Sequence, residues 1–329
     1  MRFWLRDPSR PASRGDGRQG SRRRVVTLIL TAGLLPLLAV AISVAATGCG
    51  GGSGVGDGGT VGTTEGSQTT VTMPPEDTTT IPSRPTTTVA QETMTVRVYF
   101  SRDEKMCAAA RVIPKTQDMG AAAMKALLEG PTAAEKAIGM VSSIPEGTTF
   151  LGLNIKDGVA SVDLSKEYAS GGGSLSMMMR LAEVVFTLTQ FPTVDGVNFR
   201  LDGEAIDVLG GEGLILDHPM SRADHEDLSP AILVESPLLG QTVSSPVRIW
   251  GTSNTFEATC LIRIVNRDGL TVAKQVVTAT SGNGERGTFD VTISFTVDRG
   301  GPGSIIAFEE SAQDGSVINL VEIPVQLED

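Results

Sequence analysis

Leu151-Gly152-Leu153-Asn154-Ile155-Lys156-Asp157-Gly158-Val159-Ala160-Ser161-Val162-Asp163-Leu164 is the stretch on which the reading of the first fold turns. Its apolar residues fall at every second position, 151, 153 and 155, then 160, 162 and 164, with Asp157-Gly158 between the two sets. A period of two puts alternate side chains on one face of a strand, and Asp-Gly supplies the backbone freedom a tight turn requires. The stretch reads as a β-hairpin.

Working outward, Val96, Val98 and Phe100 alternate with polar residues and predict a half-buried strand upstream. Asp118 is placed to cap a helix over Ala121–Leu128, which Gly130-Pro131 would stop. Downstream, Ser174 follows three glycines and is placed to cap a second helix running to about Gln190. Its Met178, Leu181, Ala182, Val185, Phe186 and Leu188 fall largely on one broad apolar face. Val197, Phe199 and Leu201 form a last strand, closed by Asp202-Gly203. The order β-α-β-β-α-β predicts an α+β fold, a mixed sheet with helices on one face.

Within this region five blocks occur in order: Leu128-Glu129-Gly130-Pro131-Thr132, Ser143-Ile144-Pro145-Glu146-Gly147-Thr148, Gly158–Ser165, Thr187-Leu188-Thr189-Gln190-Phe191-Pro192 and Leu201-Asp202-Gly203. Together they resemble the GerMN domain, named for a sporulation and germination protein. The resemblance covers most of residues 94–228. The Gly, Pro and Asp of these blocks sit where the chain needs turns and caps, so they read as folding signals and not as catalytic groups.

From Ala231 onward the pattern becomes strand after short strand: 232–234, 247–251, 260–265, 272–280, 289–296, 305–308 and 317–325. About seven short strands without helix signals predict an all-β immunoglobulin-like sandwich. The cysteine pair of antibody domains is missing, because only Cys260 lies here. Gly240–Pro246, Asn254-Thr255-Phe256-Glu257-Ala258 and Glu309-Glu310-Ser311-Ala312-Gln313-Asp314-Gly315 resemble the immunoglobulin-like domain of bacterial spore germination. That domain often follows a GerMN domain.

The first 48 residues carry eight arginines against Asp7 and Asp16. Val25–Ala46 is an uncharged run of 22 residues behind Arg22-Arg23-Arg24, and Ala46-Thr47-Gly48 leads into Cys49. Positive, apolar and small-residue regions in that order predict a secretory signal peptide over 1–48. The last four residues resemble the lipobox of bacterial lipoproteins, which implies lipidation of Cys49 as the mature N-terminus. The alternative is an uncleaved transmembrane helix, since ~20 apolar residues span a bilayer. Either reading places the protein outside the cytoplasm, anchored at the outer face of the cytoplasmic membrane.

Residues 49–92 are rich in Gly and Ser, then in Thr and Pro. Such a composition buries too little apolar surface to offset chain entropy, and it predicts a disordered tether. Its ~40 residues reach ~140 Å fully extended and ~35 Å on average as a flexible coil. The folded domains are expected at 93–228 and 229–329.

Composition narrows the function classes. The chain has a formal charge of −11, and without the leader 19 basic residues face 36 acidic ones. A body that acidic lacks the Lys/Arg cluster that nucleic acid requires. Aromatic residues are 4% of the chain, too few for an aromatic sugar groove, and there are only two histidines and three cysteines. No Ser/His/Asp or Cys/His set is evident.

Two acidic groups are the best chemical candidates. Asp217-His218 with Asp224-His225-Glu226-Asp227 has metal-ligating side chains, but no spacing that matches a known zinc pattern. Glu257, Glu309, Glu310 and Asp314 fall on expected strand ends and loops, where acids are solvated or meet a partner. Cys107 and Cys260 either pair across the two domains or remain free thiols.

No catalytic, cofactor-binding or metal-binding residue is therefore assigned, and Cys49 alone is read as a modified site. The expected protein is a non-enzymatic interaction or scaffold module on a lipid anchor. The family resemblances imply a setting in sporulation, germination or a related envelope process, with an envelope protein as partner. They also imply self-assembly through the GerMN sheet or helices. A cell-wall glycan-binding lipoprotein is the alternative, and a hydrolase centred on His218 and His225 the third reading.

Overall fold

The computed structural model describes residues 92–329, Glu212 excepted; the leader, Cys49 and most of the tether lie outside the described residues. The chain enters through β1 (Thr93–Arg102) and turns directly into β2 (Lys105–Pro114). These two strands pair antiparallel along their whole length as a separate two-stranded sheet. The second strand is absent from the sequence reading. Cys107-Ala108-Ala109-Ala110 offers no alternation, and the turn lacks the usual glycine: Asp103 and Glu104 themselves take φ of 51° and 59°.

Helix α1 (Met119–Leu128) and the one-and-a-half-turn α2 (Ala133–Ala137) follow. Asp118 occupies the N-cap position of α1, but its side chain makes no capping hydrogen bond. At α2 the cap is complete. Thr132 accepts from the Glu135 amide, and the Glu135 carboxylate accepts from the Thr132 amide.

The quoted stretch forms β3 (Phe150–Lys156) and β4 (Val159–Leu164), the antiparallel hairpin expected. Helix α3 (Ser174–Leu188) then leads to β5 (Gly196–Leu201), which lies parallel to β4. Ser174 is the first helical residue; Gly173 holds the N-cap position. Two-residue strands β6 (Glu204–Ala205), β7 (Val208–Leu209) and β8 (Leu214–Ile215) complete the domain. The main sheet runs β3-β4-β5-β6, mixed as expected. Helices α1 and α3 touch both this sheet and the β1–β2 hairpin.

The core follows the alternation in β1, β4 and β5, whereas Leu151 and Ile155 of β3 are exposed. Val98 and Phe100 of β1, Ala160, Val162 and Leu164 of β4, and Val197 and Phe199 of β5 are buried together with Leu181, Val185 and Leu188 of α3. Burying each large apolar side chain contributes roughly 1.5–3 kcal/mol against chain entropy.

A second all-β domain begins at β9 (Ile232–Ser236) and continues through β10 (Thr242–Val243), β11 (Val247–Ser253), β12 (Thr259–Val265) and β13 (Thr271–Thr278). It ends with β14 (Gly287–Ile293), β15 (Gly301–Glu310) and β16 (Val317–Leu327). The sheets are β14-β11-β9 and β10-β16-β15-β12-β13. Ile249, Ile262, Ile264 and Ile305 are fully buried between them. Gly251 sits where β11 bulges against β9; a Cβ there would lie 2.0 Å from the Leu233 carbonyl oxygen. Only glycine permits that approach.

Candidate functional site: the domain junction

The two domains meet over a buried surface. Tyr99 of β1, Met106 and Ala108 of β2, and Met179, Ala182 and Phe186 of α3 pack with Leu228, Leu233 and Leu238 in one apolar cluster. β1 therefore buries both faces, with Val98 and Phe100 in its own core and Tyr99 against the sandwich. The sequence predicted one buried face only.

Among the described residues two ion pairs cross this junction, each domain giving one acid and one base. In the first, Arg222 Nη1 donates to Glu235 Oε1 at 2.6 Å, and the Tyr99 hydroxyl donates to the same oxygen at 2.5 Å. Arg222 also donates from Nη2 to the Tyr99 oxygen (3.0 Å) and the Phe186 carbonyl (3.2 Å), and from Nε to Thr189 Oγ1 (3.0 Å). Its guanidinium lies 4.7 Å from the Phe186 ring centroid and 5.1 Å from that of Tyr99. Tyr99 is fully buried and Glu235 is 5% exposed.

In the second, Arg286 of the sandwich donates to both oxygens of Glu226, at 2.8 and 3.0 Å, and to the Pro230 carbonyl at 2.8 Å. Asn254 adds a third bond to Glu226 at 3.0 Å. Beside them the Arg97 guanidinium lies over the Trp250 ring, 4.6 Å from its centroid.

Electrostatics follow from burial and partners. Burial pushes the Tyr99 phenol well up, and neighbouring Glu235 adds to the rise. Burial works against the Arg222 charge, yet Tyr99 and Glu235 hold its pKa above the ordinary value. Burial likewise disfavours ionised Glu226, but hydrogen bonds from Arg286 and Asn254 hold it below the usual carboxylate range.

The acidic His segment proves to be the support of this junction. A short 3-10 turn, Arg222–Leu228, carries both Arg222 and Glu226. Ser221 and Asp224 close it as a reciprocal cap: Asp224 Oδ2 accepts from the Ser221 amide (2.7 Å) and hydroxyl (2.8 Å). His218 lies between Asp217 (2.7 Å) and Asp224 (3.0 Å), and those bonds raise its pKa. Burial opposes ionisation of Asp224, but Ser221 and His218 bring it down to about 2. His225 is different. It is 4% exposed, and burial pushes it down to about 4. The two histidines thus occupy separate environments, and among the described residues no group of three or more His, Cys, Asp or Glu side chains is placed to hold a metal ion.

The second acidic group does not converge either. Glu309, expected as a solvated acid, is 7% exposed and pins the Phe256 turn to strand β16: it accepts from the Phe256 amide (2.9 Å) and Asn319 Nδ2 (2.7 Å). Unsatisfied amides at the strand end draw its carboxylate inward. Glu310 pairs with Lys274, and Asp314 accepts from Ser316. Cys107 and Cys260 are both free thiols, pushed by burial up to about 12 and about 11.

Glu183 is a further titratable residue, besides those of the junction, that sequence alone did not single out. Glu183 of α3 is fully buried and accepts from Ser142 Oγ and the Ser143 amide, both at 2.7 Å, so it anchors the Ser143–Thr148 block. Burial outweighs those two donors and pushes its pKa up to about 8. The signal was present: Arg180 and Glu183 are the only charged residues in the α3 sequence. Arg180 is buried as well, donating to the carbonyls of Tyr168, Ser170 and Gly171.

Fold and junction together define a class: an α+β domain joined through a paired ion clasp to an immunoglobulin-like sandwich. Residues 67–207 match the family model for sporulation and spore germination, and residues 231–316 match that for the immunoglobulin-like domain of bacterial spore germination. The chain thus carries a GerMN domain followed by the immunoglobulin-like domain of bacterial spore germination. Among solved structures it is similar to a protein of Clostridium perfringens described as a candidate lipoprotein, with 26% identity over 40% of this chain and 89% of that one (TM-score 0.30). It is also similar to the tandem GerMN domains of the sporulation protein GerM from Bacillus subtilis, 19% identical over 62% of each chain (TM-score 0.35). The first GerMN domain of that protein aligns at 24% identity over 40% of this chain and 99% of its own length (TM-score 0.32). No curated protein matches the sequence.

Proposed function

We propose that this protein is an envelope lipoprotein whose two germination-type domains act as a non-enzymatic protein-interaction scaffold. The observation that carries the reading is the pairing of the two families in one chain, behind a leader-like segment and a Gly/Thr/Pro-rich stretch. In this reading residues 1–48 are removed, Cys49 carries the lipid, and 49–92 tether the domains 93–228 and 229–329. The anchor sits at the outer face of the cytoplasmic membrane, and the partner is an envelope protein of sporulation, germination or a related process.

The separate structural bonds made by His218, Asp224, Glu226 and Glu309 support a scaffold over a reaction centre. In-cell crosslinking followed by mass spectrometry tests the proposal. The expected result is a discrete protein crosslinked to residues 93–329. Crosslinks to lipid and cell-wall glycan alone, with no protein, would count against it.

A further inference from the structure

We propose that the turn from Ser221 to Ser229 is an interdomain latch, with Arg222 as its bolt and Ser229-Pro230 as the hinge it locks. Three observations carry the inference. First, both ion pairs across the junction start from this one turn, Arg222 reaching Glu235 and Glu226 receiving Arg286. Second, Arg222 commits four hydrogen bonds to Glu235, Tyr99, Phe186 and Thr189, and so fixes strand β9 against β1 and α3 simultaneously. Third, the turn is itself fastened at its start by the Ser221–Asp224 cap and near its end by Lys105, which donates to the Asp227 carbonyl at 2.5 Å.

Buried charge explains why this contact is a latch and not simple adhesion. An apolar cluster holds two bodies together without fixing their angle, whereas a buried ion pair is satisfied in one geometry only. Removing one partner strands the other charge away from water, and the open arrangement rehydrates it. With Arg222 removed, the apolar cluster, the Arg286–Glu226 pair and the Tyr99 bond to Glu235 have to hold the closed state, against the cost of a buried Glu235 charge without its cation. The junction has two states, closed with Arg222 seated or swung open about Ser229-Pro230, while each domain keeps its own core. The latch stands independently of the envelope reading, because it concerns only contacts between the two domains.

Trp250 is a built-in reporter, half-buried under Arg97 across the junction. The test uses the full chain carrying Trp4→Phe, so that Trp250 is the only tryptophan. Acrylamide quenching of its fluorescence is compared across Arg222→Met, Glu235→Gln and the control Lys274→Met, which alters an exposed pair with Glu310 inside the sandwich. The expected result is at least a two-fold rise in the quenching constant for Arg222→Met and a smaller rise for Glu235→Gln. The control stays unchanged, and far-ultraviolet circular dichroism is constant throughout. Unchanged quenching in both junction variants would overturn the latch. So would a rise seen in both only together with loss of the circular dichroism signal, since opening would then be inseparable from unfolding.

Discussion

At the scale of single residues, Glu183 sets a pH dependence whose sign can be worked out. Its folded pKa of about 8 lies above the ordinary carboxylate value of 4.5, because burial disfavours the charge more than Ser142 and Ser143 favour it. The folded state therefore holds a proton that the unfolded chain releases, and stability falls as pH rises from 4.5 through 8. His225 works the other way: its folded pKa of about 4 makes stability fall as pH drops below 6.5. The two effects oppose each other below pH 6.5, and Glu183 acts without that opposition above it. Urea titrations should show a loss of about 2 kcal/mol between pH 6.5 and 8. His218 adds a loss of the same sign from the exposed surface. Glu183→Gln separates them, because it keeps an acceptor for the Ser143 amide and removes the charge. Most of the slope should vanish in that variant; an unaltered slope would assign it elsewhere.

At the scale of elements, two changes probe how sequence makes strands here. The β1–β2 turn places Glu104 at φ 59°, a conformation that costs an L-residue with a Cβ about 1 kcal/mol. Glu104→Gly should raise the unfolding free energy by about 0.5 kcal/mol, part of the relief being offset by a more flexible unfolded chain. Gly251→Ala should do the reverse. Its Cβ would fall 2.0 Å from the Leu233 oxygen, so β9 must leave β11, at a cost of about 3 kcal/mol read by the same titration. A neutral Gly251→Ala would mean that the bulge relaxes freely.

The hairpin at 151–164 and the seven main sandwich strands were legible because alternation is local and their turns use Asp-Gly or Gly. Strand β2 was hidden, since Ala-rich residues carry no period and Asp103-Glu104 is not a turn signature. Glu183 was visible as a charge in an apolar helix, yet its partners 40 and 41 residues away were not. Glu309 looked like a solvated acid because the amide that draws it inward lies 53 residues upstream.

At the scale of the whole molecule, the two domains were readable one by one and their junction was not. Arg222 and Glu235 are 13 residues apart, Tyr99 and Glu235 are 136, and no periodicity links them. Packing alone brings them together, as it brings Arg286 to Glu226 across 60 residues. The Asp/His segment, whose side chains could ligate a metal but whose spacing matches no metal pattern, is the cap of the turn that makes this junction. For function, the consequence is a body whose two germination-type domains present a fixed combined surface while the latch is closed.

Cys49 is the proposed point of attachment to the membrane, and the most direct test is the mass of the mature N-terminal peptide from membranes, compared between the wild type and Cys49→Ala. The expected result is a peptide beginning at Cys49 with a diacylglyceryl thioether, and a variant that keeps its leader unprocessed. A wild-type peptide without lipid, or a Cys49→Ala protein that is fully processed and still membrane-bound, would contradict the account.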